Sequence, residues 1–202
     1  MAKIDLSNIS HTYNPEDANP TYALNPFSMT WENGNRYAIL GPSGCGKTTM
    51  LNIVSGLVRP SGGKILFDNR DVTNLKTESR NIAQVFQFPV IYNTMTVYDN
   101  LAFPLKCREF AKEKIEERVQ SVSQTLNLSS FLNMPARKLT ADQKQLISLG
   151  RGLVREDVAA VLMDEPLTVI DPDLKFKLRR SLKEINEQYK TTLVYVTHDQ
   201  NE

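Results

Sequence analysis

Hydrophobic residues recur along the chain with two periods, and each period predicts one kind of secondary structure. Short, continuous apolar runs predict buried strands, whereas apolar residues three or four positions apart predict helices. We expect strands at 3–9, 28–31, 36–40, 64–67, 82–86, 158–163 and 192–197. We expect helices after residue 47 and at 111–126, 142–154 and 174–185. Alternating strands and helices indicate an α/β sheet, which typically binds ligands at the carboxyl ends of its strands.

A polar segment, 11–26, separates the first two predicted strands. It contains three prolines, which remove backbone donors and favour turns. We therefore expect an ordered loop or a hairpin connection in this segment.

The composition restricts the class of protein. With 24 basic and 23 acidic residues in 202, the chain has no overall charge that would favour nucleic acid or an anionic membrane. No apolar run approaches the roughly 18 to 20 residues of a membrane-spanning helix, and the N-terminus lacks a signal-peptide apolar region. Two cysteines, Cys45 and Cys107, suit a reducing compartment. These observations indicate one cytoplasmic domain, or one domain with a subdomain.

The segment 41–49 fits the phosphate-binding pattern G-x-x-x-x-G-K-[ST]. Its glycines allow a tight turn that aims backbone N–H groups at an anion, Lys47 would reach the β- and γ-phosphates, and the Thr48 hydroxyl would coordinate Mg²⁺. An accidental glycine-rich turn is the alternative, which the flanking strand and helix make less favourable. The predicted nucleotide-binding residues of this loop are Gly41, Pro42, Ser43, Gly44, Cys45, Gly46, Lys47, Thr48 and Thr49.

Two acids, Asp164 and Glu165, directly follow a predicted buried strand. Beside a phosphate loop, Asp164 would hold the Mg²⁺ shell, and Glu165 would orient or deprotonate the water that attacks the γ-phosphate. Alternatively, the two acids end a strand and begin a turn before Pro166.

Gln87 and His198 also follow predicted strands. The Gln87 amide is a candidate ligand of Mg²⁺ or hydrogen-bond partner of the attacking water. The His198 imidazole is a candidate hydrogen-bond partner of the γ-phosphate and the water. The alternatives are an ordinary loop glutamine and a structural histidine.

The order of these motifs resembles the ATP-binding subunits of ABC transporters over the whole chain. The resemblance makes 41–49 the Walker A loop, Gln87 the Q-loop glutamine, 161–165 the Walker B strand, 168–171 the D-loop and His198 the switch histidine. It also makes Tyr13 the aromatic residue that stacks on adenine. The resemblance implies an ATPase that uses ATP and Mg²⁺, with catalytic roles for Glu165, His198 and Gln87 and metal contacts from Thr48, Gln87 and Asp164.

The same resemblance implies an α/β fold with a P-loop NTPase core. Its sheet would be rich in parallel pairs, with an N-terminal antiparallel β subdomain and a helical subdomain at about 88–158 within an ATPase domain covering 1–202. Because the family continues beyond the switch histidine, the C-terminal part of the fold and a regulatory domain are expected to be missing from this chain.

One motif departs from the family. Where the family usually has Leu-Ser-Gly-Gly-Gln, this chain has Leu139-Thr140-Ala141-Asp142-Gln143, which we call the signature-like segment. In the family this motif closes over the γ-phosphate bound to the opposite subunit, and a carboxylate there would repel a triphosphate. Either Asp142 points outward as an N-terminal helix residue, or the composite site is weakened. The second alternative implies a non-identical partner ATPase.

The resemblance extends to carbohydrate-uptake importers, including the sugar and glycerol-phosphate group, through 80–87, 95–106 and 165–167. It implies transmembrane permease subunits, a second ATPase subunit, indirectly a solute-binding protein, and a place at the cytoplasmic face of the cell membrane. Four apolar residues would receive the permease, although they could instead pack inward as local core. These residues are Phe88, Val90, Ile91 and Tyr92.

The competing class is a soluble ABC-type mechanical ATPase that acts on nucleic acid or ribosomes. The balanced charge disfavours nucleic acid as a partner, and no long coiled-coil pattern lies between Gln87 and Leu139. A P-loop kinase or GTPase would leave the other motifs unexplained.

Overall fold

The computed structural model describes residues 2–17, 19–168 and 170–198. The chain divides into two compact units. The first unit comprises Met1–Gln84, Asp157–Asp164 and Lys190–Glu202, and the second comprises Val85–Glu156 and Glu165–Tyr189.

The structure contains eight strands within the described residues. They are β1 (Ile4–Thr12), β2 (Tyr22–Trp31), β3 (Arg36–Leu40), β4 (Gly62–Phe67), β5 (Arg70–Asp71), β6 (Ile82–Val85), β7 (Ala160–Asp164) and β8 (Leu193–Thr197). The helices are α1 (Lys47–Ser55), α2 (Thr77–Arg80), α3 (Val97–Lys106), α4 (Lys112–Thr125), α5 (Ala141–Leu153) and α6 (Pro172–Tyr189), with short 3-10 turns at Ser129–Phe131 and Ala136–Lys138.

An antiparallel sheet with strand order β2-β1-β4-β5 lies at the start of the chain. Its strands extend further into the segment 11–26 than expected, since β1 pairs with β2 as far as Thr12 and Tyr22. The prediction underestimated β2 because it contains Pro26. A proline is compatible with an edge strand, and β2 forms an edge of this sheet, where three register shifts interrupt its pairing with β1.

A second sheet has the strand order β3-β8-β7-β6 and supports the phosphate loop. Strand β8 pairs in parallel with β3 and β7, with Leu40 opposite Thr197 and Asp164 opposite Val196. The carboxyl ends of the three strands therefore coincide. The predicted α/β class, with a parallel sheet, helices and an N-terminal antiparallel sheet, is confirmed.

Helix α1 packs against β7 and belongs to the core of the first unit. Arg80, which is almost completely buried, fixes the end of this helix by donating to the carbonyl oxygens of Ile53 (2.7 Å) and Val54 (3.1 Å). Burial lowers the pKa of Arg80 below its usual value, and the nearby charge of Asp71 opposes this effect. Because the last carbonyls of a helix lack intrahelical partners, the arginine completes the end of α1.

Helices α3, α4 and α5 form the core of the second unit. Gly150 allows α3 and α5 to approach closely, since a Cβ there would lie 2.5 Å from a methyl group of Leu101. Helix α3 was not predicted, because Pro104 lies inside it and prolines usually end helices. Arg118, buried on α4, pairs with Glu156 at 2.8 Å. None of the helices in the described ranges is long and apolar enough to cross a membrane.

Candidate functional site

The phosphate loop connects β3 to α1 and adopts a backbone that requires glycine. Gly44 and Gly46 have φ values of +82° and +92°, which side-chain-bearing residues adopt only with strain. A Cβ on Gly46 would also collide with the carbonyl oxygen of Ala23, whereas a Cβ on Gly44 would meet open space. The loop therefore leaves room for a ligand next to its backbone at Gly44.

Lys47 begins α1, and its side chain is 8 % exposed. Its Nζ donates to the carbonyl oxygens of Gly41 (2.7 Å) and Pro42 (2.8 Å), so the ammonium group lies directly against the loop. A buried ammonium group is favourable only with acceptors or negative charge nearby. The arrangement places a positive charge where the loop approaches a helix N-terminus, which is a favourable position for a phosphate group.

Asp164 and His198 lie at the same sheet edge as the phosphate loop. Asp164 is the last residue of β7 and is buried, and exposed His198 follows the last residue of β8. The parallel register of β3, β8 and β7 therefore brings the loop, Asp164 and His198 to one edge, as expected from the sequence. Asp199, which follows His198 in the sequence, lies outside the described residues.

Tyr13 is exposed, and its hydroxyl lies 3.3 Å from Oγ1 of Thr49 in the first turn of α1. Its ring packs edge-on against buried His11, with a centroid distance of 4.5 Å. The Tyr13 hydroxyl is thus held near the phosphate loop while most of the side chain remains accessible, which is compatible with stacking on a base.

In the second unit, Gln87 and Glu165 are in direct contact. The Nε2 of Gln87 donates to Oε2 of Glu165 at 3.3 Å, although 78 residues separate the two. Thr168 Oγ1 lies 3.4 Å from the same carboxylate oxygen, a contact that the sequence analysis did not identify. Val169 of the predicted D-loop lies outside the described residues.

The backbone of Glu165 is strained, with a φ of +46°. Non-glycine residues rarely adopt this region, and a following proline, here Pro166, restricts the backbone further. Strained backbone is concentrated at functional sites, where the surrounding structure maintains it. The observation supports a functional role for Glu165.

The signature-like segment forms the start of α5. Thr140 is the N-cap, its hydroxyl accepts from the Gln143 N–H (3.3 Å), and the Gln143 side chain accepts from the Thr140 N–H (3.0 Å). Asp142 lies in the first turn, where a negative charge suits the helix dipole. Thr140 and Gln143 therefore use their polar groups within the segment itself.

Phe88, Val90 and Tyr92 are exposed at 70 %, 53 % and 40 %, and Ile91 is half-buried. We call these four residues the apolar patch. Backbone contacts from α5 hold it: the Val90 N–H donates to Ser148 Oγ (3.2 Å), and the Val90 carbonyl oxygen accepts from Arg151 (3.0 Å). The predicted exposure of the patch, rather than inward packing, is therefore observed.

Asn100, completely buried, bonds both backbone groups of Tyr92 at 2.8 and 2.9 Å. The guanidinium of Arg151 also lies 4.5 Å from the centre of the Tyr92 ring. With its backbone groups bound on both sides, the patch presents its side chains from a fixed chain segment.

The sequence is similar to several curated ABC proteins over its whole length. It is 39% identical to the uncharacterized ABC transporter ATP-binding protein YcjV of Escherichia coli K12 over 202 residues, covering 100% of this chain and 55% of YcjV. It is 40% identical to the sn-glycerol-3-phosphate import ATP-binding protein UgpC of Pectobacterium atrosepticum, with the same coverage. The chain thus spans about half the length of these relatives.

The fold is also similar to that of solved ATP-binding cassettes. The dimeric ATP-binding cassette MJ0796, in a post-hydrolysis state bound to ADP and phosphate, superposes with a TM-score of 0.86 at 29% identity, covering 98% of this chain and 89% of that one. The ABC transporter family matches residues 24–168. Family membership implies nucleotide binding. The chain belongs to the ABC transporter family, as the order of its motifs predicted.

Proposed function

We propose that this chain is the ATP-hydrolysing subunit of an ABC importer. The observation that carries the proposal is the phosphate loop on the β3 edge, with its glycine-dependent backbone and buried Lys47. The relatives named as sn-glycerol-3-phosphate import proteins support import of a sugar or a glycerol-phosphate-like solute. ATP binding and hydrolysis would drive uptake through a membrane permease.

The residues of the phosphate loop and its neighbours fit a nucleoside triphosphate with Mg²⁺. The loop offers open space at Gly44, Lys47 supplies a positive charge, and Thr48 is exposed at the start of α1. Mg²⁺ prefers oxygen ligands and typically takes one or two carboxylates together with phosphate oxygens, which suits Thr48, Gln87 and Asp164. Bound Mg²⁺ would neutralise charge on the β- and γ-phosphates.

The chain's own residues divide the work of hydrolysis. Lys47 and the loop N–H groups bind the phosphates, and Tyr13 stacks on the adenine. Glu165 orients a water and accepts its proton at the carboxylate, while Gln87, bonded to that carboxylate, fixes its orientation. His198 donates a hydrogen bond to the γ-phosphate. Catalysis is chiefly positioning and charge stabilisation.

Hydrolysis of ATP by the native assembly that contains this chain, with and without Mg²⁺, tests the enzymatic part of the proposal. We expect phosphate release that stops when EDTA removes Mg²⁺ and resumes when Mg²⁺ is restored. Hydrolysis that proceeds unchanged in EDTA would contradict the assigned metal dependence, and no hydrolysis under either condition would contradict the ATPase function.

We further propose that the apolar patch receives a permease subunit at the cytoplasmic face of the cell membrane. Exposed aromatic side chains on a fixed backbone are typical of interaction sites. Detergent extraction of the native assembly is expected to yield multispanning permeases, with a solute-binding protein associated indirectly. Recovery of the chain with ribosomes or nucleic acid instead would favour the soluble mechanical ATPase.

The partner ATPase is proposed to be a non-identical chain. The signature-like segment lacks both glycines of the family pattern, carries Asp142, and uses Thr140 in its own cap. A phosphate approaching this segment would meet a carboxylate and a hydroxyl already engaged with the backbone. Mass spectrometry of the native complex should find two ATPase chains. A complex with only this ATPase and two equally active sites would contradict the proposal.

A further inference from the structure

Gln145, which none of the sequence motifs singles out, lies on α5 and is completely buried. Its Nε2 donates to two backbone carbonyl oxygens, those of Phe86 (3.1 Å) and Pro166 (2.9 Å). Phe86 directly precedes Gln87, and Pro166 directly follows Glu165. One side chain therefore connects the two chain segments that carry the contacting pair.

The orientation of this amide follows from its neighbours. Two carbonyl oxygens can only accept hydrogen bonds, so the NH₂ group of Gln145 must face them. Its Oε1 has no hydrogen-bond partner among the residues that the structure describes. A buried acceptor without a partner disfavours folding, so stability alone does not account for a glutamine at this position.

The hydrogen bonds of Gln145 restrain the chain next to the strained backbone of Glu165. With a φ of +46°, Glu165 keeps its conformation only if neighbouring groups hold it, and the hydrogen bond from Gln145 to the Pro166 carbonyl restrains the chain one residue beyond it. The hydrogen bond to Phe86 restrains the approach to Gln87 in the same way. Both restraints act on the side chains that meet at 3.3 Å.

We propose that Gln145 is a positioning residue that maintains the contact between Gln87 and Glu165. The inference rests on the proposed ATPase function, because it assigns Gln145 to the geometry of the hydrolytic pair. Gln145 contacts neither nucleotide nor water in this role. It acts through the two carbonyls alone.

Steady-state ATP hydrolysis by the native assembly tests the proposal with Gln145→Met in this chain, a substitution that keeps the side-chain volume but removes both donors. We expect kcat to fall about 10- to 100-fold and KM for ATP to change less than about twofold, since misplacement of a catalytic group chiefly slows the chemical step. Gln124→Met, at an exposed position of α4, is the matched control and should match the wild-type chain. If the methionine variant does not fold, Gln145→Asn, whose shorter side chain cannot span both carbonyls, gives the same test.

Two further measurements separate positioning from a structural role. Hydrogen exchange should increase in peptides covering 86–90 and 165–168 in the Gln145 variant but not in the control. In a Glu165→Gln background, the Gln145 substitution should reduce the residual rate of ATP hydrolysis by less than about twofold. The reason is that the effects of substituting residues that act as a unit are not additive.

If the wild-type protein hydrolyses ATP and the Gln145 variant has the same kcat, the positioning role is overturned. A lower kcat without faster hydrogen exchange in those peptides would also overturn it. A wild-type assembly without ATP hydrolysis would overturn the proposed function itself.

Discussion

The phosphate loop and the signature-like segment both lead into a helix, but they leave the helix N-terminus in opposite states. At α1 the N-cap is Gly46, and no side chain within the described residues caps the first turn. At α5 the N-cap is Thr140, whose capping box with Gln143 occupies two backbone N–H groups. The first end is open to an anion, whereas the second is closed by its own side chains.

The difference teaches that a helix N-terminus becomes a phosphate site only when its donors remain available. Asp142 strengthens the contrast, because its carboxylate occupies the end of α5 where an anionic ligand would otherwise be favoured. The two segments therefore differ in chemistry although their position relative to a helix is the same.

The largest expected effect is a loss of turnover without a loss of ATP binding at the open end of α1. Glu165→Gln should lower kcat by about 100- to 10,000-fold, the range for loss of a general base, while ATP affinity stays near the wild-type value. Phosphate-release kinetics and equilibrium ATP binding measure the two quantities. Glu116→Gln, at an exposed position of α4, is the control. Turnover at the wild-type rate would remove Glu165 from the mechanism.

Removing the charge at the open end should weaken nucleotide binding. Lys47→Ala is expected to reduce ATP affinity about 100-fold, because charge-assisted hydrogen bonds to phosphate contribute roughly 1.5–3 kcal/mol each. Isothermal titration with Mg·ATP measures the loss, and Lys64→Ala at an exposed position of β4 is the control. Equal affinities for both variants would show that the open end does not bind the triphosphate.

Gly44 and Gly46 of the loop provide a matched pair for measuring stability. Gly44→Ala and Gly46→Ala both place a side chain at positive φ, which costs about 1–2 kcal/mol, but only Gly46→Ala also collides with the Ala23 carbonyl. Urea unfolding should therefore show the larger loss for Gly46→Ala. The collision would be refuted if the two variants unfolded at the same urea concentration.

At the closed end, Thr140→Ala should lower the free energy of unfolding by about 1 kcal/mol, the usual contribution of a threonine N-cap. The same urea titration measures it, with exposed Thr94→Ala as the control. No difference between these variants would mean that the capping box does not close the end of α5.

The smallest effect concerns the N-cap of α3, where the residue at the third helical position is charged. Thr96 caps α3, and hydrogen bonds from Lys106 and then from Thr96 hold the pKa of Asp99 below its ordinary value. Ionised Asp99 therefore stabilises the fold above its unfolded pKa of about 3.9, and this contribution is lost as the pH falls through the folded pKa.

Asp99→Asn should consequently be slightly less stable than the wild-type chain at pH 7, and urea titrations should show the difference shrinking as the pH falls below about 3.9. Gln143→Ala at the α5 box should show a difference that does not vary with pH, since glutamine does not ionise. A pH-independent difference for Asp99→Asn would contradict the assigned pKa shift.

The elements nearest the phosphate loop were the most predictable from sequence. Strands β3, β7 and β8 are short apolar runs in a buried sheet, and their observed bounds lie within two residues of the predicted ones. Helix α3 was missed because Pro104 obscured its apolar spacing, and the length of β2 was missed because Pro26 argued against a strand. In both cases tertiary packing outweighed a local preference.

The site was predictable by residue type but not by contact. The motifs identified Gln87 and Glu165 separately, whereas their contact, the strained backbone of Glu165 and the carbonyl contacts of Gln145 depend on three-dimensional proximity. A buried glutamine on an amphipathic helix has the same sequence appearance as a surface glutamine. Burial and hydrogen-bond geometry distinguish them.

Pro26 also has a consequence for self-association. The strand that contains it is an edge strand, and exposed edges of antiparallel sheets can pair with other polypeptides and initiate aggregation. A proline supplies no N–H group to such pairing, and the register shifts along β1 and β2 make the edge irregular. The same residue that obscured a strand in the sequence thus protects the sheet from adding another one.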